Sequence, residues 1–260
     1  VTPSAWSRER LIAAGMNPSR VSVIPFGVDG GVFQPLAPSG RAQIRAQMGV
    51  AQDDFLWIHV GSMSHDSGGD LLLRAFAELR RENPKLKLLL RDSVLEEGGS
   101  VQRRIDAVNQ SHSGLISPEI IAGLVLLPKA MSLHHAQFFY SVSDLYVAPF
   151  RAESFHLPVL EAIACGVKTL VTEGGSADVF LTPGLCVPIK GAPSASGAGT
   201  HAIKAATIEP HYEDFVRQLR QSMKHPAAGQ AISDSDRQKF LEKWSWVKVA
   251  DQILKIVQSE

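Results

Sequence analysis

Glu153 and Glu161, with seven residues between them, are the side chains of this sequence best placed to do chemistry. A carboxylate can accept from two vicinal hydroxyls at once, as the acidic residue of dinucleotide-binding folds does with ribose. Between the two lies Pro158, where the spacing predicts that a helix begins, because proline's missing N–H is no loss at the first helical position. Unpaired N–H groups and the positive dipole end of such a terminus suit a phosphate. Glu153 falls just before this helix start and Glu161 in its predicted first turn, so both carboxylates flank one anion-binding spot. That combination suits a sugar nucleotide.

The segment 144–175, DLYVAPFRAESFHLPVLEAIACGVKTLVTEGG, supplies the elements that must hold these groups. DLYVAPF reads as a buried strand ending at Pro149, and Arg151, Ala152, Glu153, Ser154, Phe155 and His156 as a polar elbow. Val159, Leu160, Ile163 and Ala164 give the following helix an apolar face, which Cys165-Gly166 closes. KTLVTE is a second strand running into Gly174-Gly175. The two strands are predicted to be parallel neighbours joined by a right-handed crossover. The same order recurs upstream: strand FLWIHV, a loop from Gly61 to Gly69, then helix DLLLRAFAELRRENP with Leu72, Ala75, Phe76 and Leu79 on one face. That loop is predicted to meet the same crevice at the carboxyl edge of the sheet.

Further strands are read at VSVI (residues 21–24), KLKLLL leading to Arg91-Asp92, LVLLP and LCVPI. Helices are read after the Ser4 cap and stopping at Gly15, in RAQIRAQMGV, over residues 96–110, in MSLHHAQFFYSVS and in HYEDFVRQLRQSMK. Two more run from Ser233 onward, joined near Trp244-Ser245. Gly191 to Thr200 reads as a flexible loop of small residues. Alternating strands and helices without hairpin signals predict an α/β fold with a doubly wound, Rossmann-like parallel sheet.

With 260 residues, 45% of them hydrophobic, the chain can bury a large core in one or at most two domains. Lys and Arg total 26, as do Asp and Glu, so no basic footprint argues for nucleic acid. Cys165 and Cys186 neither form a disulfide scaffold nor show zinc spacing, and read as buried thiols of a reducing, cytoplasmic compartment. No apolar run has the length of a membrane span, and no signal peptide is read.

The run AESFHLPVLEAIACG, with its E-x7-E pair and following GG, closely resembles the donor-binding motif of retaining, nucleotide-sugar-dependent glycosyltransferases of the GT-B fold, the group 1 family. VSVIPFGVDGGVFQP also resembles that family's interdomain segment, through Pro25, Gly27, Val28, Asp29, Phe33 and Pro35, with one extra glycine. The resemblance implies a boundary near residue 36. Residues 1–36 would be the end of an N-terminal acceptor domain, 37–240 the nucleotide-sugar domain and 241–260 a helix crossing back. Most of the N-terminal domain is then absent from this chain, and apolar residues of the last helix are expected to be exposed or repacked. It further implies a retaining transfer from a nucleotide diphosphate sugar, with no metal and no other cofactor, to a glycan, lipid or protein acceptor that the sequence does not specify. Glu161 would hold the ribose, Glu153 the transferred sugar, and main-chain N–H groups of Phe155 to Val159, with Ser154, His156 and Leu157 around them, the diphosphate. Gly61 and Gly174-Gly175 would line the rest.

Two departures stand out. Relatives carry an Arg or Lys just after the first glycine of the G-S-M-S-H-D-S-G-G-D loop and a Lys before its later glycine, where this chain has Ser62 and Ser67. Losing one charge-assisted contact costs about 1.5–3 kcal/mol. Either His65, Arg91 or Arg151 supplies the charge instead, or the site is degenerate and the chain a non-catalytic binding module. His156 stands where relatives have Gly and either narrows the sugar pocket or points to solvent; Asp178 replaces Glu conservatively. Other signals read as structural: His134-His135 point about 100° apart on a helix, Asp234-Ser-Asp236 sits at a helix start where Ser233 or Asp234 would cap, and Asn109-Gln110-Ser111 is a formal sequon. No G-x-G-x-x-G follows a strand and no P-loop lysine pattern exists, which argues against dinucleotide oxidoreductases and P-loop enzymes.

Overall fold

The computed structural model describes residues 1–91, 99–127, 133–194, 207–224 and 231–258. Six strands form one parallel sheet: β1 (Phe55–Val60), β2 (Leu86–Arg91), β3 (Leu124–Leu126), β4 (Leu145–Ala148), β5 (Thr169–Thr172) and β6 (Cys186–Ile189), in the order β3-β2-β1-β4-β5-β6. The order reverses between β1 and β4, and the crevice outside the carboxyl ends at such a point is where α/β sheets bind ligands. The strands read as continuous apolar runs because both faces are covered. Leu56 and Ile58 of β1 pack with Tyr146 and Leu160 on one face, while Trp57 packs with Phe76, Leu88 and Val147 on the other. This is the two-residue alternation of a strand applied to a fully buried sheet.

The covering helices are α1 (Ala5–Ala13), α2 (Pro38–Gln47), α3 (Gly69–Glu82), α4 (Gly99–Ser111), α5 (Pro118–Ile121), α6 (Leu133–Val142), α7 (Leu157–Ala164), α8 (Tyr212–Ser222), α9 (Asp234–Trp244) and α10 (Trp246–Gln258). The stripe Leu72, Ala75, Phe76 and Leu79 of α3 is buried as its period predicts. Helix α7 joins β4 to β5, which pair in parallel from Tyr146–Thr169 to Ala148–Val171. At the amino end of β4, buried Asp144 accepts from the Leu56 N–H at 2.7 Å and from Arg41 and Arg45 at 2.5 and 3.3 Å, locking β4 to β1 and to α2.

Two sequence expectations are corrected. β7 (Gly191–Ser194) and β8 (Thr207–Pro210) form an antiparallel pair where a loop and no hairpin were predicted. Gly191 permits it, since a Cβ there would lie 2.4 Å from the Ile208 side chain. Residues 195–206, including the rest of the predicted loop, lie outside the described residues. The segment VSVI makes only an isolated bridge, Val23 to Thr2, in which the Thr2 N–H donates to the Ser22 carbonyl and the Ile24 N–H to the Thr2 carbonyl. The short helix α5 carries too few residues to show a period. The expected exposure is found: Trp246, Val247, Ile253, Leu254 and Val257 of α10 face solvent.

Candidate functional site

The loops after β1 and β4 meet backbone to backbone. Gly68 has φ 73°, and a Cβ there would sit 1.9 Å from the Pro149 carbonyl oxygen, so only glycine allows this approach. Arg151 ties the contact together. Its Nε and Nη2 donate to Glu209 at 2.7 and 3.0 Å, its Nη1 and Nη2 to Asp70 at 2.7 and 2.9 Å, and its Nη1 to the His65 carbonyl at 2.8 Å. A guanidinium has five N–H donors, and these five bonds use all of them. Burial favours loss of the proton, but the two carboxylates outweigh it and raise the pKa, so Arg151 stays charged. The expectation that Arg151 offers its charge to a diphosphate is therefore not met by its geometry: the group holds loops in place.

The elbow is built on a strained residue. His156 caps α7 with φ 72° and ψ 58°, the left-handed region, where a non-glycine residue is disfavoured. This explains why glycine suits the position and corrects the alternative in which His156 points to solvent, since it is 6% exposed. Its Nε2 lies 3.1 Å from the Tyr146 hydroxyl and its Nδ1 3.4 Å from Glu153 Oε1. The Tyr146 hydroxyl also donates to the Val60 carbonyl at 3.4 Å, and Nδ1 of the ring faces the Glu153 carboxylate. Glu153 is also held by the Ser154 N–H at 3.1 Å. Burial pushes its carboxyl up, but His156, this N–H and His59 together keep the pKa below the ordinary value. Glu153 is thus ionised and aimed.

Glu161 lies one residue further into α7 than predicted, as its fifth residue, and Pro158 is the second helical residue rather than the first. Only 9% of Glu161 is exposed, and the Tyr140 hydroxyl donates to its Oε2 at 2.6 Å. Burial raises its pKa, with Tyr140 and the charge of Arg91 opposing. Arg91 ends β2, and among the described residues its side chain has no hydrogen-bond or ion-pair partner. The Tyr146 phenol is raised first by burial, and the charges of Glu153 and Glu161 raise it further.

Of the predicted N–H donors, Pro158 has none and Val159 bonds the His156 carbonyl at 3.0 Å. Among the described residues, the N–H groups of Phe155, His156 and Leu157 meet no acceptor. The Phe155 ring is buried against Phe26, Phe180 and Trp244, so its backbone alone faces the elbow. The Ser154 carbonyl accepts from Ser4 and Ser7 at 2.7 and 2.9 Å, pinning the elbow to α1. The Ser62, Ser64 and Ser67 hydroxyls bond one another at 2.9 to 3.2 Å, a neutral cluster where the loop cations were missed. Gly174 has φ 88° and its N–H bonds Asp178 at 2.8 Å, while Gly175 lies against the Phe150 ring.

His59 of β1 was not singled out by the sequence, because a lone histidine in an apolar strand carries no spacing signal. It is 1% exposed and lies beneath Gly61. Of the remaining signals, Ser233 caps α9 by accepting from the Asp236 N–H at 3.1 Å, and Asn109 bonds both backbone groups of Ile116. Cys165 and Cys186 are free and buried. The His134 side chain, Asp92 and residues 96–98 lie outside the described residues. Among the described residues no group of three or more His, Cys, Asp or Glu could hold a metal ion, and no helix is long and apolar enough to cross a membrane. A cleft of about 440 Å³ opens at the other end of the sheet, lined by Arg41, Asp144, Cys165 and Asp234. It contains none of the predicted site residues, and the crevice at the carboxyl ends is the one that carries the convergent polar groups.

Residues 40–227 match the family described as "Glycosyl transferases group 1". The chain is 35% identical over 204 residues to D-inositol 3-phosphate glycosyltransferase of Kineococcus radiotolerans, covering 71% of this chain and 44% of that protein. It is 24% identical over 249 residues to lipopolysaccharide 1,2-N-acetylglucosaminetransferase of Salmonella typhimurium, covering 95% and 58%. In fold it is similar to Anabaena HepE solved with UDP and glucose, with TM-score 0.77, 18% identity and coverage of 100% of this chain and 62% of that one. It also resembles the C-terminal domain of the group 1 family protein LpcC from Francisella tularensis, with TM-score 0.60, 15% identity and coverage of 85% and 100%. The chain thus spans about half the length of the curated relatives it matches.

Proposed function

This chain belongs to the glycosyl transferases group 1 family, and from that premise we propose that it is the donor-binding half of a retaining glycosyltransferase. The observation that carries the proposal is the convergence at α7: a buried, tyrosine-held Glu161, an aimed Glu153 and N–H groups at Phe155, His156 and Leu157 that meet no acceptor among the described residues, all at the sheet's switch point.

In this reading Glu161 accepts from the ribose hydroxyls and Glu153 from hydroxyls of the transferred sugar. Three N–H groups and the positive end of α7 meet the diphosphate and stabilise it as it leaves; donors already aimed at developing charge are the largest part of such catalysis. Arg91, close enough to act on Glu161, is positioned to add a charge on the nucleotide side. Gly61 and Gly174-Gly175 let backbone approach the ligand. No divalent metal is required. Residues 1–36 would belong to the acceptor-binding domain and its connection, 37–240 to the donor domain and 241–260 to the crossover helix. Acceptor and general base would then come from outside this chain, which binds donor alone and does not turn over.

A second reading, a binding module that no longer transfers sugar, is favoured by one observation: the loop offers Ser62 and Ser67 in place of cations, and Arg151 is fully engaged. Calorimetric titration of the chain with UDP, ADP, GDP and their sugars, without metal, tests the donor site. Saturable binding of one nucleotide at micromolar to low-millimolar Kd supports it, and binding by none of them overturns it. Incubating the binding-competent protein, joined to its N-terminal portion, with that sugar donor separates transferase from module: released nucleotide diphosphate supports the first, its absence the second.

A further inference from the structure

The loop after β1 meets a diphosphate with no cation of its own, and Arg151 has no donor left to offer. His65 stands at the loop tip, more than half exposed, 3.7 Å from Asp66. Beneath the loop lies a different group. His59 Nδ1 is 2.9 Å from the Val147 carbonyl oxygen. A carbonyl only accepts, so Nδ1 carries the proton, and in the neutral ring Nε2 is a bare acceptor. That Nε2 is fully buried and, among the described residues, has no hydrogen-bond partner. It is also the atom that a Cβ on Gly61 would meet, at 3.6 Å, so it points at the first residue of the loop. A buried polar atom without a partner is uncommon in folded proteins and calls for a physical reason.

We infer that His59 is the group that answers the donor's charge: it rests neutral under the Gly61 loop and takes up a proton from solvent when a nucleoside diphosphate binds. The inference rests on the donor-site reading above and deepens it. Protonation turns Nε2 from an unmatched acceptor into a donor, so one imidazolium would span the Val147 and Ser62 carbonyls and tie β4 to the loop. In the free protein burial dominates, holding the imidazole down at about 4. The Val147 and Ser62 carbonyls and Glu153 favour the charge, and His156 opposes it. Across the sheet β2 presents Leu90, which is apolar. From α3, Asp70 is already paired with Arg151. The balance is therefore open to an added anion, and in a water-poor site a nearby negative charge strongly favours the charged form of its neighbour.

The test is titration of the chain with UDP in buffers of different ionisation enthalpy at neutral pH, for the native protein and for His59→Asn. Asparagine keeps a donor near the Val147 carbonyl but cannot titrate. The native chain is expected to take up about one proton more than the variant, and the variant to bind UDP about tenfold more weakly. Should the variant not fold, ring-nitrogen NMR of the native chain reads the same event, with His59 Nε2 moving from unprotonated to protonated on saturation. Binding of UDP with equal proton uptake and an unchanged ring signal would overturn the inference alone. Failure to bind UDP, ADP or GDP would overturn the donor-site reading and this inference with it.

Discussion

Arg151 grips Asp70 with two parallel bonds of 2.7 and 2.9 Å, and the same guanidinium grips Glu209 on its other edge. One side chain thus joins the Gly-rich loop and α3, the elbow after β4, and the β7–β8 pair. Arg151→Ala is expected to destabilise the fold by about 3 kcal/mol, the low end for breaking a buried pair, because the Glu209 side chain is 44% exposed. Urea denaturation measures this. Arg151→Lys should not restore stability, since a point charge cannot reproduce the fork. A loss under about 1 kcal/mol would mean the network is no more than a surface ion pair.

Arg91 should behave in the opposite way. Arg91→Ala is expected to leave stability nearly unchanged and to weaken UDP binding about tenfold, roughly the worth of one charged contact. Uridine binding should change little. Equal losses for both ligands would place Arg91 at the base or ribose rather than the diphosphate.

At His156 the backbone and the side chain can be separated. Both His156→Gly and His156→Ala lose the ring that bridges Tyr146 and Glu153. Only alanine keeps the cost of the left-handed conformation, so it should be the less stable variant by about 1 kcal/mol. That inverts the usual order of these residues near helices. Thermal melts of the two variants decide it, and an alanine variant as stable as the glycine variant would argue that the elbow relaxes out of φ 72°.

How much of this was legible beforehand differs from residue to residue. The parallel, doubly wound sheet follows from buried runs such as FLWIHV and from the amphipathic period of α3, and the sequence put Gly61, Glu153 and Gly174-Gly175 in the loops after β1, β4 and β5 and Glu161 on α7, where they lie. Local pattern could not show that Arg151 is spent, because its partners Asp70 and Glu209 are 81 and 58 residues away. Nor could it show that Val159 donates within its own turn, or that Gly191 starts a strand whose partner lies beyond residue 206. His59 was invisible for a simpler reason: burial, not residue type, makes its Nε2 unusual.

For Glu161 the proposed ligand-binding role and the stability of the fold pull in opposite directions. Its folded pKa is raised from the ordinary 4.5, so the folded chain holds that proton more tightly than the unfolded one. Stability from this group is present at low pH and is lost as pH rises from the unfolded value through the raised folded value. Glu161→Gln removes the penalty and can still accept from Tyr140. It is therefore expected to melt higher than the native chain at neutral pH while binding UDP much more weakly. A lower melting temperature would show that the ionised carboxylate stabilises the fold.

His59 sets the opposite slope. Its folded pKa, lowered from 6.5 to about 4 by burial, means the unfolded chain takes the proton first as pH falls. The contribution is complete above pH 6.5 and is lost progressively down to about pH 4, amounting to roughly 3 kcal/mol. Urea titrations from pH 7 to 4 should show this decline, and His59→Asn should flatten it. An equally steep decline in the variant would assign the slope to other groups.

The most direct measurement is a metal-free calorimetric titration of UDP, and of ADP and GDP should UDP be silent, into the native chain and into Glu161→Ala. Saturable binding of one diphosphate by the native chain is expected, with at least about a hundredfold weaker binding by the variant and far-ultraviolet circular dichroism unchanged. Equal affinity in both would contradict the placement of the ribose at Glu161 and, with it, the donor site built around α7.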